Sequence, residues 1–247
     1  MIDLHSHLLP GLDDGPADVE GSVALAREVA AAGVAVMAAT PHLRADFPDV
    51  RVEEIETRAE ALRGRLRDEG VALDVVAAGE VDVLWAQRAS DEMLRAASYG
   101  GRGTDLLVET PYGPVPELFE DLLFRIQVRG FRVLLAHPER NDTFQRDPSR
   151  LERIVERGVL VQLTASSVVG SARARRLSQR LIEGGNAHVI AGDLHRAGGR
   201  RAFVGPAADA AGERGRWMVT DAPAAILAGQ PLPPAPPVAA RRSWWRR

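Results

Sequence analysis

The sequence predicts an α/β protein built as a distorted (β/α)7 barrel of the TIM-like kind. Three observations point there. Short β-type runs alternate seven times with longer helical stretches along 247 residues, a pattern that makes parallel strands joined by crossover helices. Glycines close several helical stretches, where a left-handed residue stops a helix. Histidines and carboxylates follow directly on the apolar runs, so polar chemistry gathers at one end of the strands, where parallel barrels carry their active sites. An open doubly wound sheet is the competing architecture.

The elements follow in order. Met1–Leu4 is a short apolar run that leads into His5-Ser6-His7, and Ala17–Ala32 has helical spacing up to Gly33. Val34–Thr40 is a buried-strand pattern, Val52–Glu69 a charged helix stopped by Gly70, and Leu73–Ala78 a strand that ends in Gly79-Glu80. Asp105–Val108 is a strand ending in Glu109, Pro116–Arg129 a helix before Gly130, and Phe131–Ala136 a strand ending in His137. Pro148–Arg157 predicts a helix, Val159–Leu163 a strand, Ala172–Gly184 a helix, and His188–Ala191 a strand ending in Gly192-Asp193. A last helix is expected over Arg201–Arg214, with Gly205-Pro206 disturbing its start.

Residues 1–229 are expected to form the barrel domain. Gln230–Val238 contains five prolines, and the chain ends in Arg-Arg-Ser-Trp-Trp-Arg-Arg. This segment, 230–247, is expected to be a flexible extension outside the core. A docking role toward an anionic or proline-binding partner is a second reading, and membrane-surface contact by Trp244 and Trp245 a third.

Composition excludes several classes. The chain is 45% hydrophobic and 26% charged with a net charge of -3, which makes no case for nucleic-acid binding. With no cysteine, disulfides, thiolate metal sites and a cysteine nucleophile are all ruled out. No apolar run approaches the roughly 20 residues of a membrane span, and no signal peptide precedes the first strand. A cytoplasmic protein is therefore expected.

The chemistry-bearing residues are His5, His7, Asp14, His42, Glu80, Glu109, His137, Asp193 and His195. Imidazole nitrogen and carboxylate oxygen suit Zn, Mn or Fe, and a carboxylate can bridge two ions. In His5-x-His7 and Asp193-x-His195 the alternation of a strand puts both side chains on one face. Nine donors exceed one tetrahedral ion, so two or three are expected. Adjacent ions turn water into hydroxide and clamp both oxygens of a phosphoester. Singly the motifs are weak, since Asp13-Asp14-Gly15 is an ordinary turn signal. Five of the six histidines sit at strand ends; His188 opens a strand without a carboxylate partner and is expected to be structural.

Arg140, just after His137, is a candidate for holding and stabilising a phosphate, with a surface salt bridge to Glu139 or Asp142 as its bland alternative. Arg44 is a second, weaker candidate for substrate binding, and Arg200 and Arg201 are weaker still. Ser166 and Ser167 fit a helix N-cap.

These residues resemble a known family. MIDLHSHLLPGLDDGP at the start, then TPH at Thr40–His42, GEVDV at Gly79–Val83, VETP at Val108–Pro111, AHPER at Ala136–Arg140 and GDLH at Gly192–His195 resemble the PHP (polymerase and histidinol phosphatase) superfamily. Within it they resemble the CpsB/CapC/YwqE-type bacterial protein-tyrosine phosphatases. The resemblance implies a PHP-type barrel with a trinuclear cluster of Mn, Fe or Zn, manganese foremost. It implies that His5, His7, Glu80 and Asp193 surround one ion, that Glu80, Glu109 and His137 hold a second, and that Asp14, His42 and His195 hold the third. It further implies hydrolysis of phosphotyrosine on a protein, typically a bacterial tyrosine kinase that controls capsular or extracellular polysaccharide synthesis, with Arg140 on the phosphate. Leu43 stands where the family often has a histidine, and Thr164 where it often has an asparagine.

A small-molecule phosphatase of the same superfamily, acting on a substrate such as histidinol phosphate, is the alternative; Glu109 argues against it, because histidine is expected there in that branch. A scaffold protein with a degenerate site would have lost ligands, and none is missing. An amidohydrolase normally has a carboxylated lysine, and the chain has no lysine.

Overall fold

The computed structural model describes residues 1–170, 172–198 and 203–237. Arg200, Arg201 and residues 238–247, with the Trp-tipped end, lie outside the described residues. Nine strands occur among the described residues: β1 (Ile2–Asp3), β2 (Val36–Ala39), β3 (His42–Leu43), β4 (Asp74–Ala77), β5 (Glu80–Val81), β6 (Asp105–Glu109), β7 (Arg132–Ala136), β8 (Leu160–Thr164) and β9 (Val189–Ala191). They form two sheets, β1-β2-β4 and β3-β5-β6-β7-β8-β9, and every pairing is parallel. The protein is thus an α/β fold with parallel sheets.

The split into two sheets differs from the expected single strands Val34–Thr40 and Leu73–Ala78. Each of these two strands breaks and resumes. At the first break stands Pro41, which has no N–H to donate. At the second stands Gly79, where a Cβ would press on the buried Leu43 side chain, so a larger residue there would force Leu43 to shift. His42 and Glu80, expected just beyond strand ends, therefore lie inside β3 and β5 as direct register partners.

The two sheets join at the end where the polar residues gather. Ser6 bridges Leu194 in parallel, Asp193 N donates to His5 O and His7 N to Leu194 O, both at 2.9 Å, and Thr40 N donates to Ser6 O at 2.7 Å. The strands are covered on both sides, as parallel sheets require; all five residues of β6 are buried.

The anticipated helices form at Val19–Ala31, Ile55–Asp68, Phe119–Val128, Pro148–Glu156 and Ala172–Glu183. Asp18 caps the first, accepting from Gly21 N at 2.8 Å. Short helices at Val83–Arg88, Asp91–Ala97, Asp142–Arg146 and Ala165–Val169 were not foreseen. Asp82, Ser90 and Asn141 cap the first three with side-chain oxygens. The fourth starts after Thr164 and holds Ser166 and Ser167 inside it, so the expectation that these serines form a helix N-cap is corrected.

The single last helix expected over 201–214 is replaced by three: Val204–Ala210, Gly212–Val219 and Asp221–Ala228. Pro206 falls in the first turn of Val204–Ala210, where a missing N–H is tolerated. Gln230–Pro237 has no regular structure but is not detached from the core as expected. Leu232 packs against both buried apolar clusters, Arg132 donates to Gln230 O at 2.9 Å, and Arg214 to Pro236 O at 3.2 Å. Among the described residues no helix is long and apolar enough to cross a membrane.

Candidate metal centre

All nine predicted donor residues come together: His5 and His7 after β1, Asp14 in the loop beyond, His42 and Glu80 at the resumption of the strands in β3 and β5, Glu109 at the end of β6, His137 after β7, and Asp193 and His195 after β9. Four overlapping groups have ligand atoms within 4.8 Å of one another: His7, Asp14, His42 and His195; His5, His7 and Asp193; His5, Glu80 and His137; and His42, Glu80 and Glu109. Glu80 joins two of these groups, and its carboxylate lies among four imidazoles, with His7 Nε2 3.6 Å from its Oε2. Its Oε1 is 2.9 Å from His137 Nε2 and 3.4 Å from His5 Nε2, and its Oε2 is 3.0 Å from His42 Nδ1. Asp193 Oδ1 sits 3.3 Å from His5 Nε2 and 3.4 Å from His7 Nε2. Asp14 Oδ1 lies 3.3 Å from His195 Nε2 and 3.7 Å from His42 Nε2.

These groups differ in detail from those the resemblance implied. His137 sides with His5 and Glu80, Glu109 with His42 and Glu80, and His7 extends to the Asp14 group.

The donor set fits divalent ions on an observation internal to the structure. His5 Nε2, His7 Nε2, His42 Nδ1 and Glu80 Oε2 are all buried and make no hydrogen bond. Buried polar atoms are almost always partnered; these four, converging from the His5–His7 segment, β3 and β5 and facing one another without hydrogen-bond geometry, suit a shared cation. Nitrogen and oxygen donors with no sulfur match Mn, Fe or Zn.

Electrostatics point the same way. Burial pulls the His5 imidazole down, but Glu80 and Asp193 outweigh it and push the group up to about 9. Burial opposes ionisation of Glu80, yet His5, His137 and His42 hold its carboxyl well below the usual range. The Asp193 carboxyl is likewise held low against burial, by His5 and His7. Glu109 moves up, because burial and the neighbouring Glu80 both disfavour its charge.

A supporting layer, which sequence reasoning did not single out, fixes the imidazoles. Asp13 Oδ2 lies 2.6 Å from His7 Nδ1 and accepts from His42 N at 3.0 Å, while its Oδ1 accepts from Gly15 N at 3.0 Å. A Cβ on Gly15 would collide with the His7 carbonyl, so this turn needs glycine to tuck Asp13 beneath the ring. Gln162 Oε1 lies 3.0 Å from His5 Nδ1. Asp3, pushed up to about 6 chiefly by burial, accepts from the N–H of His5 and Gly192 and so holds β1 to the end of β9. Such partners set which ring nitrogen carries the proton and which faces the metal. Gln162 had a signal, as the lone polar residue inside the apolar run Leu-Val-Gln-Leu of β8.

Backbone strain concentrates here too. His137 (φ 38°) and Asp193 (φ 53°) are the only non-glycine residues with positive φ among the described residues. This left-handed conformation is uncommon without glycine and clusters at functional sites.

Both candidate substrate arginines lie at the cluster. Arg140 is bonded to Asp193 Oδ2, not to Glu139 or Asp142. Arg44 Nη1 donates to both oxygens of Glu109 at 3.0 Å, and its guanidinium lies 4.4 Å from the centre of the Tyr112 ring. Tyr112, not foreseen, is 69% exposed and lines a small cleft with Thr110, Pro111, His137, Arg140 and Asn141. Glu139 is buried and accepts from Thr164 N at 2.9 Å, securing the helix start instead of meeting substrate. His188 stands apart from the cluster; its Nδ1 accepts from Val161 N at 3.0 Å.

Fold and site together define an α/β protein with a candidate polynuclear metal centre at its C-terminal strand ends. The chain belongs to the family described as "Capsular polysaccharide synthesis, CpsB/CapC", whose model matches residues 1–214. It is 32% identical to the tyrosine-protein phosphatase YwqE of Bacillus subtilis, over 79% of this chain and 77% of the relative. It is 27% identical to the putative tyrosine-protein phosphatase CapC of Staphylococcus aureus, with the same coverage of both chains. A solved chain from the set comprising YwqE of Bacillus subtilis and CpsB of Streptococcus pneumoniae, described as unique metal-dependent tyrosine phosphatases, superposes with a TM-score of 0.83 at 28% identity. That match covers 98% of this chain and 100% of the other.

Proposed function

We propose that this chain is a metal-dependent protein-tyrosine phosphatase. Its substrate on this reading is a phosphotyrosine protein in the cytoplasm, a bacterial tyrosine kinase that controls capsular or extracellular polysaccharide synthesis. The observation that carries the reading is the convergence of nine nitrogen and oxygen donors, four of their atoms buried without a hydrogen bond. Relatives named as tyrosine phosphatases supply the reaction class.

The two sheets are read as one distorted (β/α)7 barrel of residues 1–229, closed where His5, Ser6 and His7 meet Asp193 and Leu194. His5, His7, Asp14, His42, Glu80, Glu109, His137, Asp193 and His195 would hold two or three divalent ions, manganese foremost. When bound, such ions polarise the phosphoryl oxygens and make the attacking water more acidic.

The chain's own residues do the rest. Arg140, about half exposed at 47%, can turn its planar fork to two phosphate oxygens and neutralise charge in the transition state. Arg44, anchored on Glu109 and lying over the Tyr112 ring, offers a second cation. The exposed ring of Tyr112 forms an apolar wall for an aryl group. A phenolate is a good leaving group, so no dedicated general acid is required. The absence of cysteine removes a thiol phosphoenzyme.

The test is a phosphatase assay on chelator-treated protein with metals added back, using phosphotyrosine peptide, phosphoserine peptide and histidinol phosphate. Turnover should require metal, favour phosphotyrosine, and vanish in His42→Ala. Full activity after chelation, or an unaffected His42→Ala, would overturn the reading.

A further inference from the structure

We propose that the groove between the helices Asp142–Arg146 and Ala172–Glu183 docks an acidic segment beside the phosphotyrosine of the protein substrate, an inference that rests on the phosphatase reading above. Arg146, Arg173, Arg176 and Arg180 line this groove, with Asp142 as its one carboxylate. Arg146 is paired with Asp142 at 3.2 Å and Arg180 with Glu152 at 2.8 Å. Arg173 and Arg176 are exposed and have no ion pair among the described residues. Two guanidinium groups thus face solvent uncompensated, in a chain whose net charge is -3. The patch is local, which suits one oriented acidic partner better than polyanions in general.

Its position links it to the catalytic cleft. Both helices leave the C-terminal side of the adjacent strands β7 and β8, the face on which the donor cluster lies. The helix Ala172–Glu183 packs against the turn Pro138–Arg140 and against Asp142–Arg146. Gln145 Nε2 donates to Glu139 O at 2.8 Å, tying the groove wall to the turn that carries Arg140.

Its shape selects a peptide. Arg173, Arg176 and Arg180 follow i, i+3, i+7 spacing and share one helix face. From the first to the last is about 10 Å along the axis, the length of about three extended residues. Arginine forks meet carboxylates in bidentate geometry, so two or three Asp or Glu side chains on an extended strand would fill the row.

The test uses the full, metal-loaded chain. Two phosphotyrosine peptides are compared, one with three glutamates beside the phosphotyrosine and one with three glutamines, and each placement is made on both flanks. Wild type should turn over the glutamate peptide with kcat/KM on the order of tenfold higher on one flank, the advantage shrinking as salt rises to about 0.5 M. Arg173→Glu/Arg176→Glu should lose that advantage while keeping wild-type turnover of a small aryl phosphate.

Equal kcat/KM on both peptides in wild type would overturn the proposal. So would an advantage that survives in the variant, or one that appears only when a second phosphotyrosine replaces the glutamates. A separate measurement keeps the two readings distinct: fluorescence anisotropy with the glutamate peptide carrying unphosphorylated tyrosine. If no phosphate ester is hydrolysed, the phosphatase reading fails, yet binding that the variant loses still supports the dock. Absence of binding by wild type overturns the dock, whatever the activity.

Discussion

Asp13 contributes no atom to the donor groups, yet its removal should weaken two of them. Its Oδ2 is 2.6 Å from His7 Nδ1, and the other ring nitrogen of His7 faces Asp193 and Glu80. Burial opposes the Asp13 charge, but His7 and the N–H groups of His42 and Gly15 hold its carboxyl below the usual range. Asp13 is therefore an anion that keeps the proton on Nδ1 and leaves Nε2 free to bind. Asp13→Ala removes the acceptor from three donors at once and lets the ring rotate or change tautomer. Loss of such a partner typically weakens metal binding about 10- to 100-fold, or about 1.4–2.7 kcal/mol per ion. His7 sits in two of the four donor groups, so about two ions per chain should weaken together. The assay is competition of Mn or Zn against a chelating indicator, with circular dichroism to confirm the fold. Asp13→Asn keeps an oxygen for the ring N–H and should fall between wild type and alanine. Wild-type affinity and stoichiometry in a folded Asp13→Ala would refute the assignment.

Two predictions concern the scaffold. His188 is pushed down to about 4 by burial and by Arg214, against an unfolded value of about 6.5. The unfolded chain then takes up the proton first as pH falls, so His188 removes stability progressively between about pH 6.5 and 4 and has no effect above that window. The loss reaches at most about 3 kcal/mol. His188→Gln, which keeps an acceptor for Val161 N, should flatten this acid limb in denaturant titrations; an unchanged limb would refute the assignment. Arg132 pairs with Asp105, a residue buried completely at the start of β6. Arg132→Ala should leave that carboxylate unpaired, cost about 3 kcal/mol in a denaturation midpoint series, and free Gln230 from its tether. A loss no greater than that of an exposed arginine would show that Asp105 finds another partner.

The donor residues were legible because strand alternation and strand ends are local signals. His5-x-His7 and Asp193-x-His195 each announce one face, and Glu109 and His137 each close an apolar run. The interruptions of the second and third strands were harder, since Pro41 and Gly79 look like ends when no partner strand is in view. Only the pairing of His42 with Glu80 shows that both chains resume. Asp13 and Asp14 are chemically identical neighbours in one turn; which lies under His7 and which faces the His195 and His42 rings depends on how Gly15 packs on the His7 carbonyl, a contact that no local pattern announces. The five-residue helix Asp142–Arg146 is too short to show a 3.6-residue period. Of the C-terminal helices, Val204–Ala210 and Asp221–Ala228 are rich in alanine, while Gly212–Val219 has none, and only Gly212 and Thr220 mark the joints, so no continuous amphipathic stripe separates one from the next.

The cluster and the two arginines compete for the same oxygens, and that competition connects the fold to the proposed chemistry. Glu80, Glu109 and Asp193 are buried carboxylates at strand ends, and burying such charge costs stability unless cations offset it. Imidazoles, Arg44 and Arg140 provide the offset here, with Arg44 on Glu109 and Arg140 on Asp193. A divalent ion on either carboxylate would draw on the lone pairs that its arginine uses, and binding to the folded chain alone would stabilise it by mass action. A guanidinium freed in this way would remain beside the cluster, within reach of an anion. His137 and Asp193 follow β7 and β9, on either side of β8, and both are held in left-handed backbone, which fixes where their side chains point. On the proposed reading, the carboxylates and imidazoles that balance one another in the fold would also hold the cation, and the arginines that balance the carboxylates would also hold the phosphate, with no separate module needed for each.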